Sequence, residues 1–499
     1  MNGHISRRGF LGGVAIAALA GPALAGAPAA SLRPVLRGQE LFRQSVPGAA
    51  EIVAAQKLSG DVAFALADLQ TGNWLECENE QLATPPASVT KAVTALYALG
   101  VLGADHQFET QLGATGTIAD GVVQGDVLLI GGGDPTLDTD ALADMAAALK
   151  AAGVREVRGA FKVFEAGLPV MREIDPMQPE HVGYNPAVAG LALNYNRVHF
   201  EWKRAGADYT ITMDGRSERY RPDVTMATMR VEDRSTPVYT YRDAGGRDHW
   251  TVAKGALGKG GARWLPVRRP GLYAGEVFQT MAGAHGIRLP NPEVITTLPA
   301  HEVLLRHQSG ALRGILRDML KYSTNLTAEM VGLAASQARL GPVADLRASA
   351  AAMNRWAVEA LGMQAPALVD HSGLGEDSRL TALDMVRALV AVRDTDFRGI
   401  LKTFGFRDEK GRPVKEQAIA VDAKTGTLNF VSTLAGYVTG REGREMAFAI
   451  FTADPEARAR IAPEDRESPP GARTWNRKSK RVQQGLIERW DAVYGKKDA

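Results

Sequence analysis

One lysine, Lys91, stands alone in an otherwise apolar stretch of this 499-residue chain. The segment PPASVTKAVTALYALG covers residues 85–100, and Lys91 is the only charge between Gln81 and Ala104, although 23% of the chain is charged. Apolar residues at the i, i+3, i+4, i+7 spacing predict a helix here, with Ser88 and Lys91 adjacent on another side of it. An amine in apolar surroundings loses its proton readily. The stretch therefore predicts a core helix that holds a proton acceptor beside a serine.

Length and composition limit the class of protein. A chain of 499 residues with 45% apolar residues is expected to fold as a globular protein of two or three domains. The single cysteine, Cys77, excludes an internal disulfide. There is no Cys/His cluster and no H-E-x-x-H pair, which argues against a zinc site. No metal and no cofactor are expected.

The first residues resemble an export signal. Arg7 and Arg8 precede a run rich in alanine and glycine that ends in the small-x-small sequence ALA at 23–25. This pattern predicts a twin-arginine-type signal peptide over 1–25 and hence an exported, periplasmic protein; an uncleaved anchor is the alternative. Loss of the two arginines brings the formal net charge of +2 to zero. A neutral protein gives no indication of nucleic-acid binding.

Periodicity predicts both strands and helices along the chain. Residues 61–80 alternate as a β-hairpin that turns at QTGN. Residues 310–338 hold two helical patterns broken at KYSTN, and residues 481–495 form an amphipathic terminal helix. Three further strands are predicted at residues 417–428, 432–440 and 445–454, the last two joined by a tight turn.

The first candidate motif is Ser88-Val89-Thr90-Lys91. A serine hydroxyl is a weak nucleophile until an adjacent base removes its proton, and Lys91 lies one helical turn away. The backbone N–H of Ser88, at the start of the helix, is placed to stabilise an oxyanion. A capping serine followed by a solvated lysine is the alternative interpretation.

The second candidate motif is Ser323-Thr324-Asn325, at the break between two helices. Ser323 could relay a proton between Lys91 and a leaving group, and the Asn325 amide could hold a substrate amide. The same residues could instead satisfy backbone groups that the helix break leaves without partners.

The third candidate motif is Lys424-Thr425-Gly426-Thr427, at the end of a strand. Lys424 and Thr425 together suit a carboxylate, and the Thr427 N–H could be a second oxyanion donor. Glycine lets a substrate backbone approach closely. The positive charge of Lys424 would also help to keep Lys91 neutral. An ordinary strand-end turn with an exposed lysine is the alternative.

The three motifs in the order S-x-x-K, S-x-N, K-T-G form the set found in penicillin-binding proteins and class A β-lactamases. With ATPPASVTKAVTALYAL, GDVLLIGGGDPTL, SGALRGILRDMLKYSTN and AKTGTLNFVSTLAGYV in this order, the chain resembles the class C low-molecular-mass penicillin-binding proteins, which are D-Ala-D-Ala carboxypeptidases and endopeptidases. The long gap between Lys91 and Ser323 matches this family, which inserts one or two domains there, and not a β-lactamase.

The resemblance implies an α/β fold of the α+β type: a transpeptidase-like domain, an antiparallel sheet flanked by helices, at 33–107 and 300–499. One or two inserted β-rich domains would occupy 108–299. It implies that Ser88 is acylated by peptidoglycan stem peptides and, covalently, by β-lactam antibiotics. The roles it assigns to the other site residues are those given above for Lys91, Ser323, Asn325, Lys424, Thr425 and Thr427.

Three positions depart from the family pattern. Thr324 stands where aspartate is usual, His371 lies in DHSGLG where the family has D-G-S-G-L-S, and Glu165 lies where aspartate is usual. None of them is the predicted nucleophile, its base or the carboxylate-binding lysine.

Two other functions remain open at this point. A β-lactamase or esterase of the same fold would need fast deacylation, but no E-x-x-L-N pattern lies between Asn325 and Lys424. A catalytically inactive cell-wall-binding protein would not need three intact motifs. The basic stretch RTWNRKSKRVQQG could contact anionic lipid, but Glu488 and Asp491 interrupt the basic face, so membrane contact is expected to be peripheral at most.

Overall fold

The computed structural model describes residues 45–408, 412–414 and 418–496, which form α-helices with antiparallel and mixed β-sheets. The prediction of a mixed helical and antiparallel-sheet fold is confirmed. The predicted signal peptide, residues 1–25, lies outside the described residues.

The elements are numbered in chain order. The strands are β1 Asp61–Asp68, β2 Trp74–Glu78, β3 Glu109–Ala114, β4 Ile118–Ala119, β5 Val122–Val123, β6 Val127–Gly131, β7 Glu156–Val157, β8 Phe161–Phe164, β9 Arg197–Ala205, β10 Asp208–Asp214, β11 Ala227–Glu232, β12 Tyr239–Ala244, β13 Arg247–Ala253, β14 Gly260–Pro266, β15 Pro292–Ile295, β16 Glu302–Gln308, β17 Lys402–Thr403, β18 Ala420–Leu428, β19 Val431–Thr439 and β20 Glu445–Ala453. The helices are α1 Ala49–Ala55, α2 Thr90–Leu102, α3 Thr139–Ala151, α4 Pro270–Ala284, α5 Leu312–Tyr322, α6 Asn325–Leu340, α7 Leu346–Leu361, α8 Ala382–Ala391, α9 Pro455–Ala459 and α10 Ala472–Tyr494.

The central sheet has six antiparallel strands in the order β17-β18-β19-β20-β1-β2. It contains the predicted hairpin β1–β2 and the three predicted later strands, and the chain turns between β19 and β20 at Gly440. Side chains of successive residues point to opposite faces of a strand. Ala65 and Ala449 face α2, α5, α6, α7 and α8, whereas Phe64 and Ile450 face α10. Helices therefore cover both faces of this sheet.

Helix α2, which carries Lys91, is buried on all sides. The sequence predicted one apolar face, but every residue from Thr90 to Ala98 is buried in the structure. Helices α5, α6 and α7 pack around α2 together with the central sheet. The polar side chains of Lys91 and Thr94 are therefore enclosed along with the apolar ones.

Between α2 and α5 the chain forms a second group of sheets. A five-stranded sheet has the order β15-β8-β6-β3-β16, and smaller sheets have the orders β10-β9-β14, β11-β13-β12 and β4-β5-β7. Strands β3 and β16 pair antiparallel, so this segment leaves and rejoins the rest of the fold at neighbouring strands. The pairing of β16 with β3 lies beyond residue 299, the predicted end of the insertion. The domain limits themselves stay a prediction.

The terminal helix α10 begins at Ala472 rather than at Arg481. Its apolar side, which includes Trp475 and Trp490, is buried. Asp491 does not interrupt an exposed basic face, because its buried carboxylate accepts hydrogen bonds from the backbone N–H (2.8 Å) and Nε (2.6 Å) of Arg441. Among the described residues, no helix combines the length and the apolarity needed to cross a bilayer.

Candidate active site

Ser88 and Lys91 meet where a short 3₁₀ turn passes into α2. The turn spans Ala87–Val89 and α2 starts at Thr90, so Ser88 precedes the α-helix. Lys91 Nζ lies 3.1 Å from Ser88 Oγ. The Lys91 side chain is fully buried, whereas Ser88 lines an open cleft. The sequence predicted this contact.

The second motif lies beside the first. Ser323 ends α5 in a left-handed conformation (φ 59°, ψ 41°), and Asn325 starts α6. The Asn325 side chain accepts a hydrogen bond from Lys91 Nζ through Oδ1 (2.7 Å) and donates one to the Tyr184 carbonyl through Nδ2 (3.0 Å). The Ser323 hydroxyl accepts a hydrogen bond from Lys424 Nζ at 3.0 Å. The lysine that is hydrogen-bonded to Ser323 thus comes from the third motif, and the relay between Lys91 and a leaving group stays a prediction.

The third motif lies on β18, against the turn that carries Ser88. Lys424 is buried and also donates to the Thr425 carbonyl (2.6 Å), whereas Thr425 and Thr427 are exposed. At Gly426, a Cβ would overlap the Thr433 hydroxyl and lie 3.0 Å from the Ser88 nitrogen. Glycine at this position therefore lets the strand reach the nucleophile.

A cleft of about 460 Å³ opens beside these motifs. It brings together four of the predicted site residues, whereas Lys91 and Lys424 lie beneath its surface and Thr425 lies outside its lining. The insertion, the segment 373–376, the end of β18 and the segment after β20 supply the remaining walls. The lining residues used below are Ser88, Ser323, Asn325, Thr427, Tyr184 and Glu467.

Burial governs the electrostatics of the two lysines. It lowers the pKa of Lys91, while the negative charges of Glu329 and Asp370 oppose that change. It also lowers the pKa of Lys424, and the positive charge of Lys91 lowers the pKa of Lys424 further. The repulsion between the two ammonium groups thus acts on the pKa of Lys424; the predicted lowering of the Lys91 pKa by Lys424 stays a prediction.

Two carboxylates that were not predicted from the sequence, those of Glu329 and Asp370, face Lys91. The fold brings them from distant segments: Glu329 from α6, and Asp370 from the DHSGLG sequence. Burial raises the pKa of both carboxyl groups. Glu329 follows Asn325 by four residues, which places both on one face of a helix, and this spacing was the available signal in the sequence.

The three departures from the family pattern do not reach the nucleophile. The Thr324 side chain lines a separate cavity of about 330 Å³. The His371 ring is buried against Ser349 Oγ (2.7 Å), and burial lowers its pKa to about 3, so it is neutral. Glu165 accepts the backbone N–H of Gly271 (2.6 Å) within the insertion.

Within the part of the chain that the structure describes, no group of three or more His, Cys, Asp or Glu side chains is arranged to hold a metal ion. The groups assembled around Ser88 are a hydroxyl, two amines, an amide and two carboxylates. These groups can exchange protons and bind an anion.

Comparison with known proteins gives a consistent result. A sequence profile of the D-Ala-D-Ala carboxypeptidase 3 (S13) family matches residues 48–467. The D-alanyl-D-alanine carboxypeptidase of Actinomadura sp. (strain R39) aligns over 436 positions with 29% identity, covering 80% of this chain and 78% of that protein. The D-alanyl-D-alanine carboxypeptidase DacB of Haemophilus influenzae aligns over 412 positions with 25% identity, covering 76% and 83%.

Solved structures show the same fold. Penicillin binding protein 4 (dacB) from Haemophilus influenzae matches with a TM-score of 0.69 at 19% identity, over 91% of this chain and all (100%) of that chain. The structure of that protein in complex with a β-lactam matches with a TM-score of 0.68 at 20% identity, over 89% of this chain and 100% of that chain. The predicted penicillin-binding fold is confirmed.

Proposed function

Since the chain belongs to the D-Ala-D-Ala carboxypeptidase 3 (S13) family of serine carboxypeptidases, we propose that Ser88 is its nucleophile and Lys91 the base that activates it. The observation that carries this assignment is the 3.1 Å contact between Ser88 Oγ and Lys91 Nζ at the base of the cleft. A lysine with a pKa lowered by burial holds a larger neutral fraction, and only the neutral amine can accept the hydroxyl proton.

The first step forms a bond between Ser88 Oγ and the carbonyl carbon of the penultimate D-alanine, while the hydroxyl proton moves to Lys91. The backbone N–H groups of Ser88 and Thr427 are the proposed donors to the oxyanion. The terminal carboxylate would bind beside Lys424 and Thr425, and the Asn325 amide would hold the peptide. Closeness of Gly426 to the Ser88 nitrogen supports this placement.

The second step breaks the peptide C–N bond and releases D-alanine. Ser323 gives its hydroxyl proton to the leaving nitrogen and takes one from Lys424, to which it is hydrogen-bonded at 3.0 Å. Lys91 has gained one proton and Lys424 has lost one, so the total charge of the two lysines is unchanged. Water then attacks the ester carbon and gives one proton to the neutral Lys424 amine. Lys91 returns its proton to Ser88 Oγ as the bond to the trimmed peptide breaks, so both lysines recover their starting protonation states.

The substrate class follows from the family and from the charge of the site. We infer that the protein trims peptidoglycan stem peptides outside the inner membrane, and that the signal-like segment with Arg7 and Arg8 directs its export. A β-lactam carries an amide and a carboxylate that resemble those of D-Ala-D-Ala, and its amide is strained by the four-membered ring. It should therefore acylate Ser88. Cross-linked peptides are a second candidate substrate, because the cleft is open to solvent at the surface.

One experiment tests the proposal directly. The protein is incubated with a stem pentapeptide and with a cross-linked dimer, and the products are identified by mass. Release of D-alanine by the parent protein but not by Ser88→Ala, together with loss of fluorescent-penicillin labelling in that variant, is expected. Labelling of Ser88→Ala would exclude Ser88 as the nucleophile. Turnover of a cephalosporin faster than D-alanine release would indicate a β-lactamase.

A further inference from the structure

Glu329 is a buried glutamate whose negative charge acts on Lys91, the proposed base. It is fully buried on α6, four residues after Asn325. Asn325 Oδ1 contacts Lys91 Nζ at 2.7 Å. The same helix face therefore presents to Lys91 one amide and one carboxylate.

Glu329 holds a loop that in turn holds Lys91. We call residues 370–375 the DHSGLG loop. One carboxylate oxygen of Glu329 accepts the N–H of Ser372 (2.9 Å), and the other accepts the N–H of His371 (2.9 Å). The carbonyl of Ser372 then accepts a hydrogen bond from Lys91 Nζ at 2.8 Å. A single residue, Ser372, thus links the carboxylate to the amine.

A second carboxylate completes the loop. Asp370 accepts the N–H groups of Gly373 and Gly375, each at 2.6 Å and each through a different oxygen. The two carboxylates together satisfy four backbone N–H groups of the DHSGLG loop. A buried loop without these acceptors would carry unsatisfied N–H groups, each of which is costly in free energy.

The hydrogen bonds specify the charge of Glu329. Both oxygens accept from backbone N–H groups, and hydrogen bonds of this kind favour the ionised form. Burial and the negative charge of Asp370 favour the protonated form, whereas the two N–H groups and Lys91 favour the ionised form. The geometry supports the ionised form, which pairs with the ammonium that Lys91 becomes on taking the Ser88 proton.

We propose that Glu329 is a positioning residue for the acylation reaction: it fixes the Ser372 carbonyl that orients Lys91, and its negative charge stabilises the ammonium that Lys91 becomes on taking the Ser88 proton. This inference rests on the proposed function of Ser88 and Lys91. The charged or titratable groups that face Lys91 from the surrounding elements are Glu329 on α6, Asp370 and neutral His371 in the loop, and Lys424 on β18, with Asp175 beside Asp370 and Lys402 beside Lys424.

The two parts of this role can be separated by two substitutions. Glu329→Gln removes the charge and also replaces one of the two acceptor oxygens by a donor. The loss of charge lowers the pKa of Lys91 and makes the amine a weaker base, and the position of the acidic limb reports this effect by itself. On the pH plateau, where Lys91 is neutral in both proteins, the acylation rate constant should then fall by about tenfold or more, within the roughly 10²–10⁴-fold that general-base catalysis supplies. The acidic limb of its pH profile should move down by about one pH unit. Glu329→Asp keeps the charge but has a shorter side chain, which cannot hold the loop in the same way. The acylation rate constant should therefore fall, while the acidic limb of its pH profile stays at the pH of the parent.

The measurement is the second-order rate constant for acylation by fluorescent penicillin across pH, with thermal unfolding of each variant recorded beside it. The matched control is Glu165→Gln. Glu165 is a half-buried glutamate that also accepts a backbone N–H but lies in the insertion, so the acidic limb of this variant should stay in place.

An acidic limb of Glu329→Gln that coincides with that of the parent would overturn the role of the charge. Glu329→Asp with the parent rate constant would overturn the positioning role, and this result remains readable if Glu329→Gln does not fold. Failure of the parent itself to be labelled would instead reject the proposed function, so the two failures are distinguishable.

Discussion

The imidazole ring of His371 occupies the space that a side chain on Gly332 would need. A Cβ placed on Gly332 would overlap atoms of that ring. The ring lies 2.7 Å from Ser349 Oγ through Nε2, so turning it away would break this hydrogen bond. The lack of a side chain at Gly332 in α6 therefore makes room for the ring of His371, a residue that departs from the family pattern.

Gly332→Ala should destabilise the fold by about 1–3 kcal/mol, the usual cost of inserting a methyl group into a packed core. In a His371→Gly background the same substitution should cost much less, because the clashing ring is gone. The free energy of unfolding of the four proteins in this cycle measures the coupling. An equal cost of Gly332→Ala in both backgrounds would contradict the steric explanation.

Local patterns in the sequence were sufficient to predict the elements that carry the site. The hairpin at Asp61–Glu78, the break at Ser323 and the strand that bears Lys424 were all predicted, because each follows from periodicity or turn chemistry over a few residues. The contact between Ser88 and Lys91 also follows from local spacing. Family resemblance then supplied the fold that joins these pieces.

Contacts between distant segments could not be predicted in the same way. Lys91 has no counter-ion among its neighbours along the chain, whereas the fold brings Glu329 and Asp370 to it from distant segments. The hydrogen bond between Lys424 and Ser323 was not predicted for the same reason. Asp491 was taken as a surface charge because an amphipathic pattern does not show which Arg, here Arg441, reaches over to pair with it.

Lys424→Ala should reduce the preference for a free carboxylate at the end of the peptide. A hydrogen bond to a charged group contributes about 1.5–3 kcal/mol. The ratio of kcat/KM for the free acid to that for the C-terminal amide should therefore fall by about tenfold or more. Steady-state assays on the two peptides measure this ratio. Lys402→Ala, an exposed lysine on neighbouring β17, is the control and should keep the parent ratio; a parent-like ratio in Lys424→Ala would contradict the assignment.

Gly426→Ala should lower kcat by displacing the backbone that borders Ser88. The added Cβ would overlap the Thr433 hydroxyl, which itself donates to the Pro86 carbonyl at 2.8 Å. Loss of one oxyanion donor typically lowers kcat by about 10²–10³-fold. Peptide hydrolysis and thermal unfolding are measured together.

The control for this substitution is Gly283→Ala in α4, where an added Cβ would meet no atom within 4 Å. It should retain parent activity and lose no stability, since alanine is the better helix former. A Gly426→Ala protein with parent kcat would show that the strand can move aside without affecting the oxyanion donors.

Glu467 joins the segment after α9 to the insertion at the rim of the cleft. Its carboxylate lies 2.7 Å from His181 Nε2 and 2.7 Å from Arg263 Nη2. The pKa of Glu467 is lowered to about 2, first by the hydrogen bond with His181 and then by the hydrogen bond with Arg263 and the positive charge of Arg263. A carboxyl group whose pKa is lower in the folded than in the unfolded state, where glutamate has a pKa of about 4.3, stabilises the fold above the unfolded value. That contribution is lost as the pH falls towards 2.

The comparison of parent and Glu467→Gln should reveal this pH dependence. The side chain of Glu467 is 44% exposed, so solvent screening limits the difference in unfolding free energy at neutral pH to about 1 kcal/mol or less. Chemical denaturation at several pH values should show the difference shrinking between pH 4 and pH 2. Arg263→Gln added to Glu467→Gln should cost less than Arg263→Gln alone, because its partner is already neutral. A gap between parent and Glu467→Gln that stays constant down to the lowest pH would show that the ion pair contributes nothing to stability, and that the contact at the rim of the cleft is held by other bonds.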